Sequence, residues 1–368
     1  MKIGIITLPL HSNYGGILQA WALQTVLMKL GNKVEVINKK FERPTKSSIL
    51  CKHPERLLKK YIFRENIPIF QELLTYEDIK QRTRDIEPFI KKHIYQRIVS
   101  DLSEIEESEF DALVFGSDQV WRPAYFLPNY PNMVDAFGAF ANKWGIRRLS
   151  YAASFGLDNL NEFGRKDIVK IGQELHQFSG ISVREATGVE LCKNYFHVEA
   201  VHVLDPTMLL SKESYLDIAE DVPVATSGVV LEYILDPDVE KKVIIENFSQ
   251  KLKFPIHPFS PNFGSGISQV SVEAWLAGFR DAKFIITDSF HACVFSIIFQ
   301  KPFVVIANPD RGLSRIESLL TMFNLRHHLV TSRDQIKSID LYEIDSSIYD
   351  TLVEWQSKSM NFLKTALS

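Results

Sequence analysis

Residues 1–38 read MKIGIITLPLHSNYGGILQAWALQTVLMKLGNKVEVIN. Ile3, Ile5 and Ile6 belong to a buried strand. Ala20, Leu23, Leu27 and Leu30 recur at helical spacing, and Gly31 is a good helix stop. Lys33 to Asn38 is the next strand. Parallel neighbours need such a crossover, so an α/β sheet begins with the first residues of the chain. Between strand and helix lie Asn13, Tyr14, Gly15 and Gly16. A Gly-rich turn that opens a helix offers unpaired N–H groups to an anion. This one matches neither GxGxxG nor GxxxxGK[ST], so what it holds must be read from the rest of the chain.

The same pattern returns further on. Ala112 to Phe115 is a β run that stops at Gly116-Ser117-Asp118. RRLSYAASFG, GISVREATG and VEAVHVLDPT each read as a short strand ending in small or polar residues. Residues 43–108 read as mostly helical. A second α/β run starts near residue 226: strands in GVVLEYIL, KFIITD and PFVVIA alternate with helices in SVEAWLAGFRDA, SFHACVFSIIFQ and LSRIESLLTMF. The Pro- and charge-punctuated stretch from Asp205 to Gly228 reads as a linker. DTLVEWQSKSMNFLKTAL is a last helix that could pack back across domains. The expected division is 1–207, 208–345 and 346–368. Two Rossmann-like halves imply a cleft, and ligands gather there at the carboxyl ends of strands.

Bulk composition narrows the partners. The chain has 368 residues, 45% hydrophobic and 24% charged, with net charge −3. That is ordinary for a globular protein and argues against a dedicated nucleic-acid binder. Cys51, Cys192 and Cys293 lie far apart and read as free thiols. The N-terminus leads directly into fold-forming sequence, and no apolar run approaches the ~20 residues that span a bilayer. The expectation is a cytoplasmic protein. From Arg43 to Arg97 there are 13 Lys/Arg against 7 Asp/Glu. There, HPERLLKKYIF reads as a solvated helix face with a packed underside, and peripheral contact with anionic lipid stays open.

Several residues could carry chemistry. In TDSFHACVF, Ser289 can cap a helix whose first turn holds His291, where a phosphate or carboxylate would be welcome. Arg184, Arg311 and Arg315 follow strands, and arginine suits bidentate capture of such groups. Each could equally be a surface arginine. Asp118 could take a proton from a sugar hydroxyl, or simply cap a helix. Asn13 and Tyr14 offer polar groups, and Gly15 and Gly16 allow close backbone approach. His11 and His202 read as structural. No HExxH or GxSxG is present, and no metal site is expected.

Taken together, NYGGILQAWALQ at 13–24, VFGSDQVWRP at 114–123, SVRE at 182–185, LDPTMLL at 204–210, ITDSFHACVFSIIFQKPFVVI at 286–306 and SRIESLL at 314–320 resemble the polysaccharide pyruvyl transferase family. The resemblance implies a GT-B-like fold, two Rossmann-like domains facing across a cleft, with the acceptor on the first and the donor on the second. It implies phosphoenolpyruvate as donor substrate, a sugar hydroxyl pair as acceptor, in lipid-linked form or not, and no further cofactor. The product would be a pyruvate ketal on a capsule or exopolysaccharide. An Arg-x-His triplet of relatives maps to Ser289-Phe290-His291, so the His matches and the Arg does not. Arg184 matches a donor-binding arginine, with Arg311 and Arg315 as further cations. His291 is the expected proton donor, Asp118 the acceptor-side base, and Asn13 to Gly16 the expected cleft lining. Two other readings share the sequence: a glycosyltransferase using a nucleotide sugar, and a non-catalytic glycan-binding protein.

Overall fold

A computed structural model describes residues 1–43, 71–223, 228–259, 269–332, 335, 344–345 and 347–368. Cys51 and the basic-apolar stretch at 52–64 lie outside the described residues. The first sheet holds β1 (Lys2–Ile6), β2 (Lys33–Lys39), β3 (Gln96–Val99), β4 (Ala112–Phe115) and β5 (Arg147–Ser150). It is parallel throughout, in the order β3-β2-β1-β4-β5. Helix α1 (Tyr14–Lys29) makes the first crossover; α2 (Gln71–Thr83) and α3 (Glu87–His93) precede β3. After α4 (Arg165–Leu175) come β6 (Ser182–Val183), α5 (Ala186–Leu191) and β7 (Val201–His202). Isolated bridges Leu149–Gly180 and Ala153–Val183 tie β6 to the edge after β5.

The stretch from Asp205 is not a bare linker. It forms a 3-10 turn, Pro206–Leu209, and α6 (Lys212–Ile218), with Pro206, Thr207, Met208 and Tyr215 buried. The turn packs on α1. This explains why α1 is buried almost all round, not along the one stripe read from its sequence.

The second sheet contains β8 (Val230–Tyr233), β9 (Ile256–Pro258), β10 (Phe284–Thr287), β11 (Phe303–Ile306) and β12 (Leu329–Val330), in the order β12-β11-β10-β8-β9, again parallel. Its helices are α7 (Val239–Leu252), α8 (Val272–Asp281), α9 (Phe290–Ile298) and α10 (Leu313–Met322). Helix α11 (Ser347–Leu367) returns to the first sheet's side. Ser359 Oγ accepts from the Leu204 amide at 3.0 Å, and Ser179 donates to the Ala366 carbonyl at 3.0 Å.

In an open parallel sheet the ligand crevice lies where the strand order reverses. Here there are two such points. One lies between β1 and β4, the other between β8 and β10, and both loop pairs face one cavity of about 300 Å³. One continuous core runs through both halves, from Ile3 and Val114 to Ile285 and Val305. All nine residues of α9 are buried, seven of them in this core.

Candidate active site

The first wall is built from strand ends. Thr7 follows β1 and donates to the Ser117 carbonyl at 3.1 Å; Gln19 on α1 donates to Thr7 at 2.9 Å and accepts from the Ser117 amide at 3.1 Å. These bonds lock the two switch-point loops together. Asp118 sits beyond them at φ 64°. It caps no helix. Its carboxylate accepts from Arg184 at 3.0 Å and from the Asn13 amide at 3.3 Å, and it lines the cavity with Asn13.

Gly15 shows what the Gly-rich turn holds. A Cβ built there would lie 1.9 Å from His291 Nδ1. The imidazole of α9 therefore rests on the bare backbone of α1. A Cβ built on Gly16 would meet Asn13 instead, 3.1 Å from its amide nitrogen. Tyr14 does not line the cavity. Its ring stacks on Trp275 at 5.2 Å, and its hydroxyl donates to the Val270 carbonyl at 2.7 Å. Of the four turn residues expected to line the cleft, Asn13 does so through its side chain and Gly15 through what it admits.

The second wall begins at Asp288. Its carboxylate accepts from the Leu235 amide, Lys241 and Asn308 at 2.7–2.9 Å, which pins the loops after β8, β10 and β11. Ser289 caps α9 by accepting from the Ala292 amide. Phe290 packs edge-on to His291 at 5.2 Å. Asp236 and Asp238 form a DxD triplet, but Asp236 holds Arg311 at 2.7 and 2.8 Å while Asp238 caps α7. Among the described residues there is no cluster of His, Cys, Asp and Glu suited to a metal ion.

The three arginines have different surroundings. Arg184 is 3% exposed, lies between Asp118 at 3.0 Å and Asp205 at 2.8 Å, and covers the Phe290 ring at 4.5 Å. It stands behind the cavity wall. Arg311 is on the wall, paired to Asp236. Arg315 is on the wall too, 5% exposed, and its Nε has no hydrogen-bond partner among the described residues. Its guanidinium donates to the Arg311 carbonyl. Burial and the neighbouring Arg184 charge push it down to about 10.

Asp205 has no exposed surface in its side chain. Its Oδ1 accepts from the Thr207 amide at 3.0 Å and hydroxyl at 2.7 Å, while Oδ2 faces Arg184 and lies 3.6 Å from His291 Nε2. Burial opposes its ionisation, but His291 and Arg184 outweigh that and hold it well below the usual carboxylate range.

The family model for polysaccharide pyruvyl transferase matches residues 13–311. The chain belongs to the polysaccharide pyruvyl transferase family. The matched region runs from Asn13 to Arg311 and takes in the strand ends after β4, β8, β10 and β11, while Thr7 and Arg315 lie just outside it. Curated proteins give no significant sequence match. Among solved structures, UDP-GlcNAc 2-epimerase of Methanocaldococcus jannaschii is 14% identical, covering 99% of each chain at a TM-score of 0.48. The Neisseria meningitidis enzyme is 11% identical, covering 98% of this chain and 94% of that one at 0.46. The Rickettsia bellii enzyme is 10% identical, covering 99% and 96% at 0.48.

Sequence reasoning passed over Gln19, Asp205, Asp236, Lys241 and Phe290. Asp205 had a visible signal, an Asp-Pro-Thr after a strand, but that triplet is also an ordinary turn. His11, read as structural, lies on the cavity wall. His202 donates to or accepts from nothing in the cavity; its Nε2 meets the Arg184 carbonyl at 3.1 Å, and burial holds it down to about 4. No helix among the described residues is long and apolar enough to cross a membrane.

Proposed function

We propose that this cavity transfers the enolpyruvyl group of phosphoenolpyruvate to two hydroxyls of a sugar, on a surface polysaccharide or its lipid-linked precursor. The observation that carries the reading is Arg315. A buried guanidinium is costly unless paired. Arg184 and Arg311 each have carboxylates, whereas no ion pair to Arg315 occurs among the described residues. A small dianion beside the start of α9 would supply the missing partner, with helix N–H groups adding to the attraction. Arg311 would add a second cation at the same wall.

His291 then protonates the methylene carbon of the donor. One sugar hydroxyl adds to the central carbon, the carbon–phosphate oxygen bond breaks, and the second hydroxyl closes the ketal. One hydroxyl proton restores His291 and the other leaves with phosphate, so the reaction balances. Asp118 suits acceptor orientation better than proton removal. Burial raises its carboxyl, but Arg184, His291 and Arg315 outweigh this and leave it below its usual value. A carboxylate so stabilised is a weak base but a good hydrogen-bond acceptor. His11, Asn13, Gln119 and Asn129 on the first wall supply further polar contacts for the sugar.

Thermal shift tests the reading. Phosphoenolpyruvate should raise the melting temperature of the parent and have no effect on Arg315→Met. Stabilisation by a UDP, GDP or CMP sugar, with none by phosphoenolpyruvate, would overturn it.

A further inference from the structure

His291 is carried by the second half of the molecule, yet its environment is set by the first. Gly15 gives the ring its place. The Nε2 atom is fully buried and forms no close hydrogen bond; the carboxylate beside it is Asp205 Oδ2 at 3.6 Å. His291 lines the cavity, and its Nδ1 lies beside Gly15, where a Cβ would come within 1.9 Å. Asp205 cannot turn away, because Thr207 holds Oδ1 through both amide and hydroxyl and Arg184 holds Oδ2. An imidazole whose one nitrogen faces a fixed carboxylate keeps its proton there, and its other nitrogen exchanges protons.

We propose that Asp205 is the positioning residue of His291: it keeps the proton on Nε2 and leaves Nδ1 to exchange a proton with the substrate. The proposal rests on the reading of His291 as proton donor. The charged groups around the ring are Asp205 after β7, Asp118 after β4, Arg184 after β6 and Arg315 on α10, with Glu185 behind the two arginines. Arg184 is shared by Asp118 and Asp205, so its charge is not given to Asp205 alone.

The test is a nitrogen NMR titration of protein labelled in its histidines, with His291 assigned through His291→Gln. In the parent, Nε2 should stay protonated throughout while Nδ1 titrates. In Asp205→Asn the proton should no longer be confined to Nε2, kcat of transfer should fall at least tenfold with KM little changed, and Asp205→Glu should restore part of the loss. Titration at Nε2 in the parent, or an unchanged proton position in a folded Asp205→Asn, overturns the proposal. If Asp205→Asn does not fold, the parent's titrating nitrogen decides alone. These signals need neither donor nor acceptor. The expected titration without stabilisation by phosphoenolpyruvate would therefore overturn the reaction and leave the Asp205–His291 pair standing.

Discussion

Gly15 and Arg315 concentrate the chemistry at the residue scale. Gly15→Ala puts a methyl group where the His291 ring lies. We expect kcat to fall on the order of a hundredfold, because a displacement of about 1 Å costs that much in a positioned site. Gly16→Ala meets only the Asn13 side chain and should cost far less, and steady-state kinetics on the two variants separates them. Arg315→Met removes a buried charge that has no ion-pair partner among the described residues. The unliganded protein should gain on the order of 1 kcal/mol, seen by denaturant unfolding, while its response to phosphoenolpyruvate disappears. Two pH windows follow from buried groups. Asp205 is held low, so its stabilisation is complete above the ordinary carboxyl value near ~4 and is lost as pH falls below it. His202 is held down to about 4 from 6.5, so the unfolded chain binds the extra proton and stability declines as pH drops through that interval. His202→Gln should flatten the upper window and Asp205→Asn the lower one in unfolding curves. At this scale the sequence was only partly legible. Gly15-Gly16 announced a turn, but nothing near it announced a histidine from α9, since that contact exists only after the two halves meet.

Helices and strands were far more legible. Their boundaries are written in local chemistry: Gly31 after α1, Ser289 before α9, Pro302 before β11, and the small residues after β4. Period identified α8, which buries Val272, Trp275, Leu276 and Phe279 and the small residues between the last two, and α10 buries the face of Arg315, Ile316, Leu319 and Leu320. Period misjudged α1, because the turn at Pro206–Leu209 covers the side that a surface helix would give to water. Helix α11 offers a test. A Cβ on Gly180 would lie 2.8 Å from Ala366 Cβ and 3.2 Å from the Phe362 ring. Gly180→Val should lift the end of α11 and cost about 2 kcal/mol, as overpacking does, read as a lower melting temperature.

The cavity is a property of the whole molecule. Each half supplies a switch point, and neither encloses a ligand alone. Composition and pattern predicted two α/β runs, but no local signal says how their faces meet. The continuous core answers that. Tyr14 stacks on Trp275, and Trp21, Tyr215 and Phe295 form an edge-to-face chain from α1 through α6 to α9, at 5.6 and 5.0 Å. An apolar interface of this kind resists relative motion of the halves. Calorimetry should therefore show one cooperative transition, with no separate melting of either sheet.

The return of α11 to the first sheet bears on how the protein is made. The ribosome delivers a chain from its N-terminus, and domains usually fold as they emerge. Here Leu204, Ser179 and Gly180 wait for Ser359, Phe362 and Ala366, which are synthesised after the entire second sheet. The first half to be translated is thus among the last to be finished. A nascent chain stalled before α11 should present an apolar strip beside Tyr151 and β6, a natural place for a chaperone to hold it.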